Sequence, residues 1–209
     1  MFTDFIPPII RMRHSNFPPG VLAAVFSACA TESLKLNSEH IEQRFGNYGI
    51  DILASEAGLR RSSLYSRDGD TRTCRTYAVV QFADPLDERH HPEHSKVLEG
   101  NSIGAIFREG GWDIFKKTLY VGHIRLPESP TRVRALMRLT GSHDLALHVY
   151  QLLLARDSME TEYATILEAH HPEYLSEEEL HRMFEYDADA PLPAGDIAAL
   201  TKLVLNRDE

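Results

Sequence analysis

Arg60 and Arg75 are the residues whose types and spacing most readily do chemistry. They fall on two short runs that face each other across Asp68-Gly69. A guanidinium offers a planar fork of N–H donors, which grips a carboxylate with two parallel hydrogen bonds. An inward-facing arginine would therefore hold a small organic acid. The bland alternative for Arg60 is a surface site beside Arg61, and for Arg75 a structural ion pair on a sheet face. His123 stands on a later strand, alternating with Leu119, Val121 and Arg125. An imidazole there gives or takes a proton near neutrality, or else is a satisfied core group.

Other polar clusters read more plainly. His90, His91 and His94 with Glu93 have the look of metal ligands, but Pro92 interrupts them and no second cluster completes the set. A polar loop is expected at residues 84–94, and no metal. The same holds for His170 and His171. Lys116 and Lys117 read as solvated strand charges, and Trp112 as a packing anchor. Glu177, Glu178 and Glu179 suit the first turn of a helix, where they complement its dipole.

The elements that must position these groups follow from periodicity. Leu22, Val25, Phe26 and Cys29 share one helical face. A second helix follows Asn37-Ser38 and ends at Gly46. Residues 50–55 read as a strand, and residues 59–66 and 71–82 as a hairpin turned by Asp68-Gly69. Residues 102–108 form a short helix stopped by Gly110-Gly111, and residues 112–126 a long strand ended by Pro127. Beyond Pro130 only helices are expected. Ser129 caps one with the stripe Val133, Leu136 and Met137. A long apolar helix covers about residues 142–169, with Leu145, Val149, Leu152 and Leu153 to bury. Ser176 and Glu179 make a capping box, residues 187–195 a loop, and residues 196–205 a last helix. This order is α+β: an antiparallel sheet with flanking helices, then an all-helical extension.

Charge divides the chain at the same place. Residues 131–209 carry 7 Lys and Arg against 15 Asp and Glu, a net of −8 within a total of −9. Two units are expected, residues 1–130 and an acidic extension at 131–209 packing on them. A second copy of the chain or a protein partner is the alternative cover for that extension. An acidic protein repels phosphate backbones, so nucleic acid is not an expected partner. No apolar run reaches the ~20 residues of a membrane span. The N-terminus lacks the order of a secretory signal, and Cys29 and Cys74 are isolated, so a reducing cytoplasmic setting is expected.

Several of these residues together resemble one family. Leu59-Arg60, Asp68-Gly69 and Arg75-Thr76 resemble the L-R, D-G, R-T pattern of the bacterial chorismate lyases. Arg44-Phe45 with Gly49 resembles their R-F-x-x-x-G segment. Leu98 with residues 102–107 resembles their L-G…P-L-G-x-x-L-F helix, and Leu126-Pro127 with Ser129-Pro130 their closing L-P-x-S-P. The resemblance covers about residues 20–130. The same fold serves as the ligand-sensing domain of many GntR-type regulators.

The resemblance implies a cofactor-free elimination of pyruvate from chorismate, leaving 4-hydroxybenzoate. It implies that Arg60 grips the aromatic carboxylate and that the backbone at Ile103, beside Gly104, assists. A glutamate on the family's last strand faces the other end of the ring, and the match sets His123 in that position, which is a departure. The long loop that the lyases carry between two strands is also replaced by residues 55–58. The expected function is binding of a small aromatic or enol-ether carboxylate, with Arg60 holding it and His123 polarising or protonating the departing side. The alternative is a sensor that binds without reacting and acts through its tail and a protein partner.

Overall fold

The computed structural model describes residues 35–56, 58–184 and 194–205. The helix expected from Val21 and most of the loop expected at 187–195 lie outside them. Helix α1 (Asn37–Phe45) starts where Glu39 Oε2 accepts from the Leu36 N–H at 2.6 Å, and it ends at Gly46 with φ 77°. Strands β1 (Gly49–Glu56), β2 (Leu59–Asp68) and β3 (Thr71–Phe82) then form an antiparallel meander. Asp68 pairs with Thr71, so the turn itself is Gly69-Asp70, with Gly69 in the left-handed region at φ 55°.

Residues 84–94, expected as a polar loop, are partly helical. A short 3-10 turn (Glu88–His90) leads into α2 (His91–Leu98), then α3 (Ile103–Glu109) and β4 (Asp113–Leu126). Thr131 rather than Ser129 caps α4 (Arg132–Met137): its Oγ1 accepts from the Arg134 N–H at 3.2 Å. The capping box is present on α5 (Glu177–Met183), where Ser176 and Glu179 bond each other's backbone at 3.2 and 2.8 Å. A last helix, α6, spans Ala194–Leu205.

The largest correction falls at residues 142–169. They are not a helix but a hairpin, β5 (His143–Arg156) and β6 (Met159–His170), turned at Asp157-Ser158. The strand order is β1-β2-β3-β6-β5-β4, with every neighbouring pair antiparallel. The hairpin therefore sits inside the sheet, which runs unbroken across the charge step at residue 130. Both faces of β5 are covered. Leu145, Leu147 and Val149 join one cluster, while Tyr150, Leu152 and Leu154 join another. A strand buried on both sides shows a continuous apolar run instead of alternation, and such a run mimics a buried helix.

Helices cover both faces. On one, Val133 and Met137 of α4 and Leu200 and Val204 of α6 pack with Tyr77, Val79, Leu147 and Leu167. The other face lies under α1, α2, α3 and α5. There Val97, Phe107 and Trp112 pack with Val80, Tyr150 and Tyr163, and Ile41 and Leu180 with Ala78 and Ala146. Trp112 is a packing anchor, 3 % exposed, with the Arg156 guanidinium 4.1 Å from its ring centroid.

The β5–β6 turn holds Asp157 and Ser158 at φ 54° and 62°, where non-glycine residues are strained. Replacing the pair by Asn-Gly (Asp157→Asn, Ser158→Gly) is expected to stabilise the fold by about 0.5–1 kcal/mol. In a helix the same glycine would cost about 1 kcal/mol. A thermal melt of the double variant separates the two.

Candidate functional site

Arg60 lies on β2 facing α1, α2 and α3, and it is only 2 % exposed. One terminal nitrogen donates to the carbonyls of Val97 at 2.9 Å and Asn101 at 3.0 Å, and its Nε–H has no partner. No carboxylate among the described residues forms an ion pair with it. Loss of hydration pulls its pKa down, while Tyr163 and Tyr48 nearby act the other way. A guanidinium this buried, with donors to spare and no counter-charge, suits an incoming carboxylate.

The two backbone residues expected beside it are close in the chain to its partner Asn101. Ile103 and Gly104 open α3 two and three residues later, and half-buried Ile103 packs on the aromatic cluster of Phe107 and Trp112. Gly104 is needed for close approach: a Cβ there would lie 2.5 Å from Leu36 Cδ2. Arg75 is held elsewhere. An extra residue in the β2–β3 ladder sets it between the paired residues Cys74 and Thr76. It bonds Ser66 Oγ at 2.8 Å and Glu173 Oε2 at 3.1 Å, with its guanidinium 3.9 Å from the Phe45 ring centroid.

His123 is not brought to Arg60. It sits on β4, with β5, β6 and β3 between it and β2, roughly 19 Å across at the usual strand spacing. Its side chain is 56 % exposed and its Nδ1 lies 2.7 Å from Glu177 Oε2.

Sequence reasoning passed over the polar groups at the centre of the same face. Asn37, on the first turn of α1, donates from Nδ2 to Thr76 Oγ1 at 3.1 Å and to Glu168 Oε1 at 3.0 Å. Tyr174 Oη donates to Asn37 Oδ1 at 2.6 Å. Thr76 Oγ1 is 3.0 Å from His170 Nδ1, and Thr118 Oγ1 is 3.0 Å from His148 Nε2. Lys116, expected as a solvated charge, is a correction. Its side chain is 7 % exposed, with Nζ 3.9 Å from Glu168 Oε2 and 4.4 Å from the Tyr150 ring centroid. Cross-strand register explains it: Lys116 pairs with Leu152 and Thr118 with Tyr150, on the helix-covered face. The signal was available as polar residues two apart, Lys116 with Thr118, His148 with Tyr150 and Glu168 with His170, once these segments are taken as strands.

Burial keeps the two histidines neutral. It pushes His148 down to about 2, helped by Lys116, and His170 down to about 4. Burial also raises the Tyr150 hydroxyl well above its ordinary value, with Glu168 adding to the effect.

His90 and His94 of the 84–94 segment serve packing, while His91 is exposed. His90 is fully buried against Trp112, Phe107 and Tyr163, and His94 Nδ1 meets Tyr163 Oη at 2.8 Å. Among the described residues, no three His, Cys, Asp or Glu side chains gather to hold a metal ion. Fold and site together define an α+β protein whose helix-covered sheet face encloses ionisable side chains. No protein-family model matches the chain, and no curated protein matches it significantly. No helix among the described residues is long and apolar enough to cross a membrane.

A histidine that is neutral in the fold and charged when unfolded favours unfolding as pH falls. The loss starts near the unfolded value of 6.5 and runs down to about 4 for His170 and lower for His148. Each adds a slope of about 1.4 kcal/mol per pH unit across that window. Melting temperature is thus expected to drop between pH 7 and pH 4.5, and less steeply in His148→Phe. Equal slopes for the two proteins would refute this assignment.

Proposed function

We propose that this chain binds a small aromatic or enol-ether carboxylate on the helix-covered face of its sheet, with Arg60 as the carboxylate clamp. The observation that carries the reading is the buried Arg60 guanidinium beside the loop that opens α3, with no carboxylate partner among the described residues. The resemblance to chorismate lyases adds a second support. It matches Arg60 to the family's carboxylate-gripping arginine, while its glutamate position falls on His123 of β4, away from Arg60. The carboxylate on Arg60's own face is Glu168 of β6, beyond the stretch that the resemblance covers. Arg60 pairs with Val80 and Val80 with Ile166, so Glu168, two residues beyond Ile166, faces the same side. On this geometry alone, Glu168 rather than His123 would face the far end of a ring held by Arg60. Ala78, between them on β3, leaves a small apolar floor for a ring.

The reaction this arrangement would serve is elimination of pyruvate from chorismate to leave 4-hydroxybenzoate. Arg60 would hold the ring carboxylate, and Asn37 would hold the Glu168 carboxylate in place at the far end. Fixed charges in a site shielded from water supply most of such an effect. A second reading is binding without turnover, as in a sensor. It is favoured by the route from the site to α5: Lys116 lies 5.7 Å from the ring centroid of Phe184, which stacks on His148 at 4.1 Å.

Purified protein with chorismate, followed by chromatography, tests both. Release of 4-hydroxybenzoate and pyruvate above background, lost in Arg60→Met, is the expected result. A melting-temperature rise with 4-hydroxybenzoate, but no product, selects the sensor reading. Absence of both product and thermal shift sinks the proposal.

A further inference from the structure

On the β4 side of Glu168 the sheet face under α1 and α5 opens into a small recess, lined among others by Lys35, His40, Lys116, His148, Glu168 and His170. Its nitrogen donors outnumber its acceptors. The Lys116 ammonium has no hydrogen-bond acceptor among the described residues, its nearest carboxylate oxygen lying 3.9 Å away. His170 Nε2 and His148 Nδ1 are buried and without hydrogen-bond partners. The His170 tautomer follows from its neighbours. Thr76 Oγ1 accepts from Asn37, so its own hydrogen is free to go to His170 Nδ1, which leaves the Nε2 nitrogen carrying the proton. That N–H lies 3.9 Å from Glu168 Oε2, too far for a hydrogen bond.

We propose that this recess is an oxyanion subsite, taking a carboxylate or phosphoryl group on Lys116 and His170. Lys116 faces the single Glu168 carboxylate, whose Oε1 is already bonded to Asn37, while the exposed Lys35 at the rim donates to Gln43 Oε1 at 3.3 Å. What favours an anion is the set of unfilled donors, the Lys116 ammonium and the His170 Nε2–H. The subsite shares Glu168 with the proposed carboxylate site but not its clamp, since Arg60 lies on β2 with β3 intervening. It therefore stands or falls separately from the Arg60 reading.

Calorimetric titration with inorganic phosphate and, separately, with malonate tests it and distinguishes the two oxyanions. Saturable binding of at least one is expected, weakened about tenfold or more in Lys116→Met and in His170→Gln. Histidine NMR gives a readout on the unmutated protein: the His170 and His148 resonances should shift on adding the bound anion. Absence of saturable binding and of those shifts overturns the proposal. So does binding that survives Lys116→Met but is lost in Arg60→Met. Loss of 4-hydroxybenzoate binding with phosphate binding intact would instead strike the Arg60 reading alone.

Discussion

From Thr76 to Phe82 on β3, and from His170 back to Ala164 on β6, a ladder of antiparallel pairs joins two three-stranded meanders into one sheet. Everything else in the molecule answers to this joint. It sets the strands of the second meander beside those of the first, so both faces of the middle strands need cover. It also makes Thr76 the neighbour of His170 and Ala78 the neighbour of Glu168. Without that register, the polar groups of the central face would be scattered over separate elements.

Enclosing ionisable groups at such a joint is costly. Removing a carboxylate or an ammonium from water carries a penalty of about several kcal/mol per ion unless hydrogen bonds and opposite charge offset it. Glu168 is answered by Asn37 and by Lys116, and Asn37 is in turn held by Tyr174. Among the described residues Arg60 is answered by two carbonyls and no carboxylate. The two sites thus differ in kind. One is a network in which a buried carboxylate meets an amide and an ammonium, with Asn37 tying α1 to the sheet. The other is a cation whose strongest natural partner, an oxyanion, is not supplied by the described residues.

Legibility followed the range of the interactions. Gly46, the β2–β3 turn around Gly69 and the Ser176–Glu179 box depend on a few neighbouring residues, and they were readable in the sequence. The hairpin at 143–170 was not. Leu145, Val149 and Leu152 fit a helical stripe as well as a strand, and the turn at Asp157-Ser158 carries no glycine to announce it. That one misreading hid His148, Glu168 and His170, because their common face exists only when β5 and β6 pair. Arg60 was legible by type but its burial was not, since an arginine next to Arg61 looks solvated until Val80 and Ser55 flank it. His123 was legible as a strand residue, yet its place on an edge strand beside Glu177 depends on the whole strand order.

The order of the strands also bears on how the chain reaches this state. The β1–β2, β2–β3 and β5–β6 pairings are each closed by a short turn and require little loop closure. The central ladder instead brings together residues such as Thr76 and His170, which are 94 positions apart. Closing so long a segment carries an entropic cost that local contacts do not share, and sheets dominated by distant pairings fold slowly. The two meanders can form early and independently. Until they meet, β3 and β6 each present an unpaired edge, and Val79, Val80, Ile166 and Leu167 on those edges are exposed to whatever other strand arrives first.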